Sequence, residues 1–176
     1  MVVTALRAAA GSTSLAGLVA LMMATAAPAE DLIRSHSITT FGEPSKYPAD
    51  FQHLDYVNHD APKGGEIAES TYGTFDSFNP YTQKGSAAAL SNIAYEEMMV
   101  GTADEVGSLY CLLCETIEYP ADKSWVIFNL RPEVRFSDGT PMTADDVMFT
   151  YEQFRDDGLI SFRTVLKEFV EKAEVL

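Results

Sequence analysis

Phe128-Asn129-Leu130-Arg131-Pro132-Glu133-Val134-Arg135-Phe136-Ser137-Asp138-Gly139-Thr140-Pro141-Met142-Thr143-Ala144-Asp145-Asp146-Val147 is the stretch on which the fold turns. Val126, just upstream, shares one face of a strand with Phe128 and Leu130, since side chains alternate across a pleated chain. Pro132 ends that strand because it has no N–H to give to a ladder. Gly139 supplies the backbone freedom of a tight turn, and Asp138 tolerates the same unusual conformations. Pro141 stiffens the approach to a helix that Thr143 caps, with Asp146 at the third helical position in a capping-box arrangement. The stretch reads as strand, turn, strand, turn, capped helix.

Working outward, Glu115 to Leu130 reads as a hairpin: Ile117 to Tyr119 enters, Pro120-Ala121-Asp122-Lys123 turns, and Trp125 to Leu130 returns. Downstream, the capped helix carries Val147, Tyr151 and Phe154 on one side and is expected to stop near Gly158 in a left-handed turn. Phe162 to Phe169 reads as helix, and Val170 to Leu176 as the beginning of a strand. Upstream, Ser86 to Met99 has helical periodicity, with Leu90, Ile93, Ala94 and Met98 on one face. Glu66 to Tyr72 alternates as a strand does. Between them lies the polar and aromatic loop Gly73-Thr74-Phe75-Asp76-Ser77-Phe78-Asn79-Pro80-Tyr81. Residues 30–63 form an extended lead-in punctuated by Gly42, Pro44, Pro48 and Pro62.

The first 29 residues read as a leader. Arg7 precedes a short apolar core, Leu15 to Met23, and Ala27-Pro28-Ala29 makes a small-x-small cleavage site. The core is too short for a membrane span, which needs about 20 apolar residues. No cysteine follows the site, so the exported chain is expected to be periplasmic and not a lipoprotein. The chain is acidic, with 26 Asp and Glu against 12 Lys and Arg and a formal charge of −14. That sign argues against nucleic acid and against anionic lipid as partners.

The stretch from Phe128 to Val147 resembles the signature of bacterial extracellular solute-binding proteins of the peptide/nickel class. That pattern runs approximately F-x-L-R-x-x-x-x-F-S-D-G-x-P-x-T-A-x-D-V. His36, Phe41-Gly42, Tyr47-Pro48-Ala49-Asp50-Phe51, Tyr56-Val57-Asn58 and Asp60-Ala61-Pro62-Lys63-Gly64-Gly65 are similar to the lead-in of the YejA-type subgroup, receptors for oligopeptides and microcin C. Where that subgroup is expected to carry Asn-Pro, this chain has Asn58-His59. The resemblance implies an α/β fold, periplasmic-binding-protein-like type II, with a mixed sheet and flanking helices. Such proteins are two-lobed and close around a solute by hinge motion. On that reading residues 1–29 are the signal peptide and residues 30–63 the lead-in. Residues 64–176 are then the truncated N-terminal part of lobe I, so only part of the first lobe is present. The implied partners are an oligopeptide or peptide-like solute and ABC transporter permease subunits in the inner membrane, with the chain a monomer. A truncated remnant that binds nothing is the alternative reading.

Tyr72, Thr74, Phe75, Asp76, Ser77 and Phe78 are the expected ligand-binding residues. They set hydroxyls beside aromatic rings, as a pocket for varied peptides requires. Phe75 and Phe78 could equally be core plugs. Cys111-Leu112-Leu113-Cys114 has redox spacing in an exported chain, but it precedes a hairpin and is spaced by leucines. It therefore reads as a pair of small buried residues or an incidental disulfide rather than a thiol-redox centre. His36, His53 and His59, with Asp55 and Asp60, fit no metal-binding spacing. No Ser-His-Asp set or Gly-x-Ser-x-Gly elbow is present, so neither an enzyme nor a cofactor is expected.

Overall fold

The computed structural model describes residues 2–5, 32–41 and 44–176. Over these described residues the chain is a mixed α/β unit of two antiparallel sheets and two helices. Its strands are β1 (Val2–Ala5), β2 (Ile33–Ser35), β3 (Ser37–Thr39), β4 (Met99–Thr102), β5 (Glu105–Cys111), β6 (Cys114–Tyr119), β7 (Val126–Leu130) and β8 (Ala173–Val175). The helices are α1 (Ala144–Asp156) and α2 (Ile160–Phe169). A five-stranded sheet runs β2-β6-β7-β1-β8, and a three-stranded sheet runs β3-β5-β4. The leader read at residues 1–29 lies outside the described residues except for Val2–Ala5. That backbone pairs antiparallel with both β7 and β8.

Two chain segments pass from one sheet to the other. His36 alone separates β2 from β3, and Leu112-Leu113 alone separate β5 from β6. The two crossings are bonded together, because the Cys111 N–H donates to the His36 carbonyl at 2.8 Å. The small core sits beneath this corner. Cys114 and Ile117 are fully enclosed with Tyr119, and Ile38, Met98, Met99, Cys111, Val126 and Phe128 close around them. Val126 and Phe128 thus share the inward face expected of β7. Phe128 lies directly opposite Ile117 in the ladder.

The hairpin expected at residues 115–130 is present, with β6 beginning one residue earlier, at Cys114. Its turn closes through the Lys123 N–H and the Pro120 carbonyl at 2.9 Å, with Lys123 at φ 56°. Downstream, Gly139 takes φ 88° in a turn closed by its N–H on the Phe136 carbonyl at 2.8 Å. The second strand read from the signature is reduced to a single bridge between Arg135 and Pro141. The capping box forms: the backbone N–H and the hydroxyl of Thr143 both donate to Asp146 Oδ2 at 2.8 Å.

Four expectations are corrected. Glu66 to Tyr72 makes no strand, and Ile67 is 85% exposed. Alternation stabilises a strand only where a neighbouring edge pairs with it, and no described strand pairs with this one. Ser86 to Met99 is not a helix beyond one 3-10 turn at Ser91–Ala94. Leu90 takes φ 61°, a left-handed geometry that blocks propagation, and Ile93 stays 73% exposed. Amphipathic periodicity supports a helix mainly through tertiary packing, and that face has little to pack on. Gly158 is not left-handed. It is needed because an added Cβ would lie 2.5 Å from the Phe154 carbonyl oxygen. The lead-in contributes two paired strands, β2 and β3, where an extended, loop-rich segment was expected.

Candidate functional site

Residues 72–78 form an exposed surface segment. Tyr72 is fully exposed, and Phe75 and Phe78 are 54% and 72% exposed with ring centroids 5.1 Å apart. The two phenylalanines therefore do not plug the core; they pair on the outside. Thr74 is exposed and Ser77 half-buried. Asp76 closes the loop that follows: its Oδ1 accepts the Ser86 N–H at 2.8 Å, and its own N–H donates to the Ser86 carbonyl at 3.0 Å. Gly85 makes this possible, because a Cβ there would strike the Asp76 carboxylate.

The Ser77 hydroxyl accepts the Asn79 N–H at 3.0 Å, and Asn79 Oδ1 accepts the Tyr81 N–H at 2.9 Å. These side chain-to-backbone bonds fix an irregular loop that has no ladder of its own. Tyr81 then anchors the loop to the helices. Its ring lies 4.9 Å from Phe154 and 6.0 Å from Phe162, which stack on each other at 4.7 Å. Gln83 donates to the Asp157 carbonyl. The six expected ligand residues are thus one contiguous surface on an anchored loop. The three rings of Tyr72, Phe75 and Phe78 and the Thr74 side chain are exposed, while the Ser77 hydroxyl and the Asp76 carboxylate are engaged in holding the loop. Such a surface offers apolar contact and hydrogen-bonding groups; it is not an enclosed pocket. A groove of about 760 Å³ lies elsewhere, over the three-stranded sheet, among Ile38, Thr39, Val106, Leu109 and Lys123.

A polar cluster that sequence reading missed binds the lead-in to the turn before β5. Lys46 Nζ lies 2.5 Å from Asp104 Oδ2 and 2.9 Å from Asp55 Oδ2. The Tyr47 hydroxyl donates to Asp104 and accepts the Asp55 N–H at 3.0 Å. The Tyr110 hydroxyl donates to Glu105 and accepts the Tyr47 N–H at 3.1 Å. Bonding from Lys46, then from Tyr47, holds the Asp104 carboxyl at about 2. The Tyr110 and Ser108 hydroxyls lower Glu105, whereas burial first and Glu105 second push the Tyr110 phenol up. Asp104 and Asp55 keep the Lys46 ammonium above its usual range. Tyr47 was legible as part of a shared lead-in pattern. Nothing in the spacing shows that it meets a turn so far along the chain.

The candidate metal ligands do not converge. His36 Nε2 lies 2.9 Å from the Tyr47 carbonyl, while His53 and His59 stack on each other at 5.2 Å. Among the described residues no cluster of three or more His, Cys, Asp or Glu could hold an ion. Cys111 and Cys114 are joined in a disulfide.

Residues 108–176 match the family described as bacterial extracellular solute-binding proteins, family 5. The chain is 42% identical over 145 residues to the protein named uncharacterized protein YejA of Escherichia coli, covering 82% of this chain and 24% of that one. It is 41% identical over 139 residues to the peptidoglycan-binding protein YepA of Agrobacterium fabrum, covering 74% and 22%. It is 39% identical over 143 residues to the probable peptide-binding protein YejA of the same bacterium, covering 81% and 23%. The chain therefore spans about a quarter of the length of the curated relatives it matches. The family match takes in the hairpin and the capped helix, and the architecture is that of a partial solute-binding lobe. The chain belongs to the family 5 bacterial extracellular solute-binding proteins, within the YejA-type group.

Proposed function

We propose that the chain supplies the first part of lobe I of a periplasmic receptor that binds oligopeptides or peptide-like compounds and delivers them to an ABC permease. The observation that carries this reading is its 39% identity, over 81% of its length, to a relative named as a peptide-binding protein. The anchored, exposed aromatic loop at residues 72–78 supports it, since a peptide receptor must accept varied side chains while bonding the backbone. Binding rather than catalysis fits relatives named for what they bind. A peptidoglycan-derived peptide is the favoured source within this class, because another relative is named for binding peptidoglycan. Export follows from the leader at residues 1–29. Cleavage after Ala29 takes β1 away and leaves facing edges on β7 and β8 for another strand to pair.

The test is made on protein recovered from its own cells with an antibody to the first segment after the cleavage site. Its intact mass and N-terminus report processing and length. Titration calorimetry with a mixed tripeptide pool and with a peptidoglycan stem peptide then reports binding. Saturable binding of either supports the receptor, and the tighter one identifies the source. No heat with either, from a protein that melts cooperatively, overturns the reading.

A further inference from the structure

We propose that the Cys111–Cys114 disulfide is a covalent lock on the corner where the two sheets meet, reachable by thiols at Cys111 alone. This goes beyond the transport reading and stands whether or not that reading holds. The bond spans the crossing from β5 to β6, and every residue of that crossing is held. The Cys111 N–H is bonded to His36 at the other crossing. The Leu112 N–H donates to the Met98 carbonyl at 3.0 Å, and the Leu113 carbonyl accepts the Arg131 N–H at 3.0 Å. Arg131 Nε donates to the Leu112 carbonyl at 3.0 Å. The spacer leucines are therefore fixed by their backbones, and the loop has no freedom to present both sulfurs to a partner.

The two sulfurs are unequal. Cys114 is completely buried in the core with Ile117 and Tyr119, and its Sγ lies 3.3 Å from the Met98 carbonyl oxygen. Cys111 is half-buried. An attacking thiolate approaches in line with the S–S bond, so attack on Cys111 expels the Cys114 sulfur as the leaving group. That sulfur would carry its negative charge among apolar side chains and beside a carbonyl oxygen, which is costly. The bond therefore resists exchange until the corner opens.

Formation needs a protein disulfide oxidant of the extracytoplasmic space. One cysteine thiolate attacks the oxidant's disulfide to give a mixed disulfide, and the other displaces the oxidant's sulfur. The two thiol protons pass by way of water to the oxidant, which takes both electrons and leaves as its dithiol.

The experiment exposes the full chain to reduced glutathione with and without guanidinium, quenches with iodoacetamide and maps the label by peptide mass. Reduction should be at least about tenfold slower in the native state, because it waits on local opening. The first native product should carry glutathione on Cys111 and the iodoacetamide label on Cys114. Cys111→Ala/Cys114→Ala should melt lower and lose hydrogen-exchange protection at the Leu112 amide while β7 keeps its own. Equal reduction rates in the two states would overturn the lock, as would insulin reduction by the native chain. If the double variant does not fold, the two glutathione rates decide.

Discussion

The Tyr47 hydroxyl donates a 2.5 Å hydrogen bond to Asp104 Oδ2, joining two residues 57 positions apart. Lys46 reaches the same carboxylate from the neighbouring position, so one acidic side chain fastens the lead-in to the turn before β5. The Asp104 carboxyl is held at about 2 in the folded chain, whereas an unfolded aspartate titrates near about 4. The folded value is the lower one, so this contribution is complete above about pH 4 and is lost as the pH falls toward about 2. Thermal melts should be flat from neutral pH to about 5 and fall between about 4 and 2. Asp104→Asn should melt lower at neutral pH and show a shallower acid slope. A variant with the parent's slope would remove Asp104 from the acid response.

Ile117 is 1% exposed at the centre of the core, and Ile67 is 85% exposed on a segment with no partner strand. Ile117→Ala should cost about 3 kcal/mol, the usual scale for emptying a buried branched site. Ile67→Ala should stay within about 0.5 kcal/mol. Urea unfolding of the two variants separates these cases. Equal costs would mean that residues 66–72 are buried in solution.

Gly158 follows α1 in close approach to the preceding turn. Gly158→Ala should destabilise by about 1–3 kcal/mol, because the new carbon meets the Phe154 backbone, not a movable side chain. Circular dichroism melts of this variant would show a lowered midpoint; an unchanged midpoint would contradict the contact.

Tyr72 and Phe78 are exposed, and the Phe78 ring meets only that of Phe75 among the aromatic pairs of the described residues. Tyr72→Ala and Phe78→Ala should leave the melting temperature unchanged. Each should weaken peptide affinity about tenfold if that ring meets the ligand. Asp76→Ala should act differently, speeding hydrogen exchange at the Ser86 amide because it removes the acceptor. Wild-type affinity in both aromatic variants would move the contact surface elsewhere.

The parts of the fold legible in the sequence were those set by local chemistry. Thr143 and Asp146 make their cap, Gly139 makes its turn, and Val126 and Phe128 face inward, because each outcome is decided within a few residues. The β4–β5 hairpin was not legible. Gly101 and Gly107 interrupt its alternation, and a register shift near Val100 and Thr102 breaks the period further. Leu90, Ile93, Ala94 and Met98 satisfied a helical spacing without a surface to bury it on. For the candidate loop, the sequence indicated the aromatic and hydroxyl residues but not that Asp76 is spent on Ser86. That bond depends on how the chain returns ten residues later.

His36 is a hinge pin one residue long, with strands of different sheets attached on either side. A single insertion there would turn Ser37, Ile38 and Thr39 over, taking Ile38 off the core and the buried Ser37 hydroxyl away from Ser45. A change of length is therefore costly at this point, whereas the loops that follow can gain or lose residues without inverting a strand.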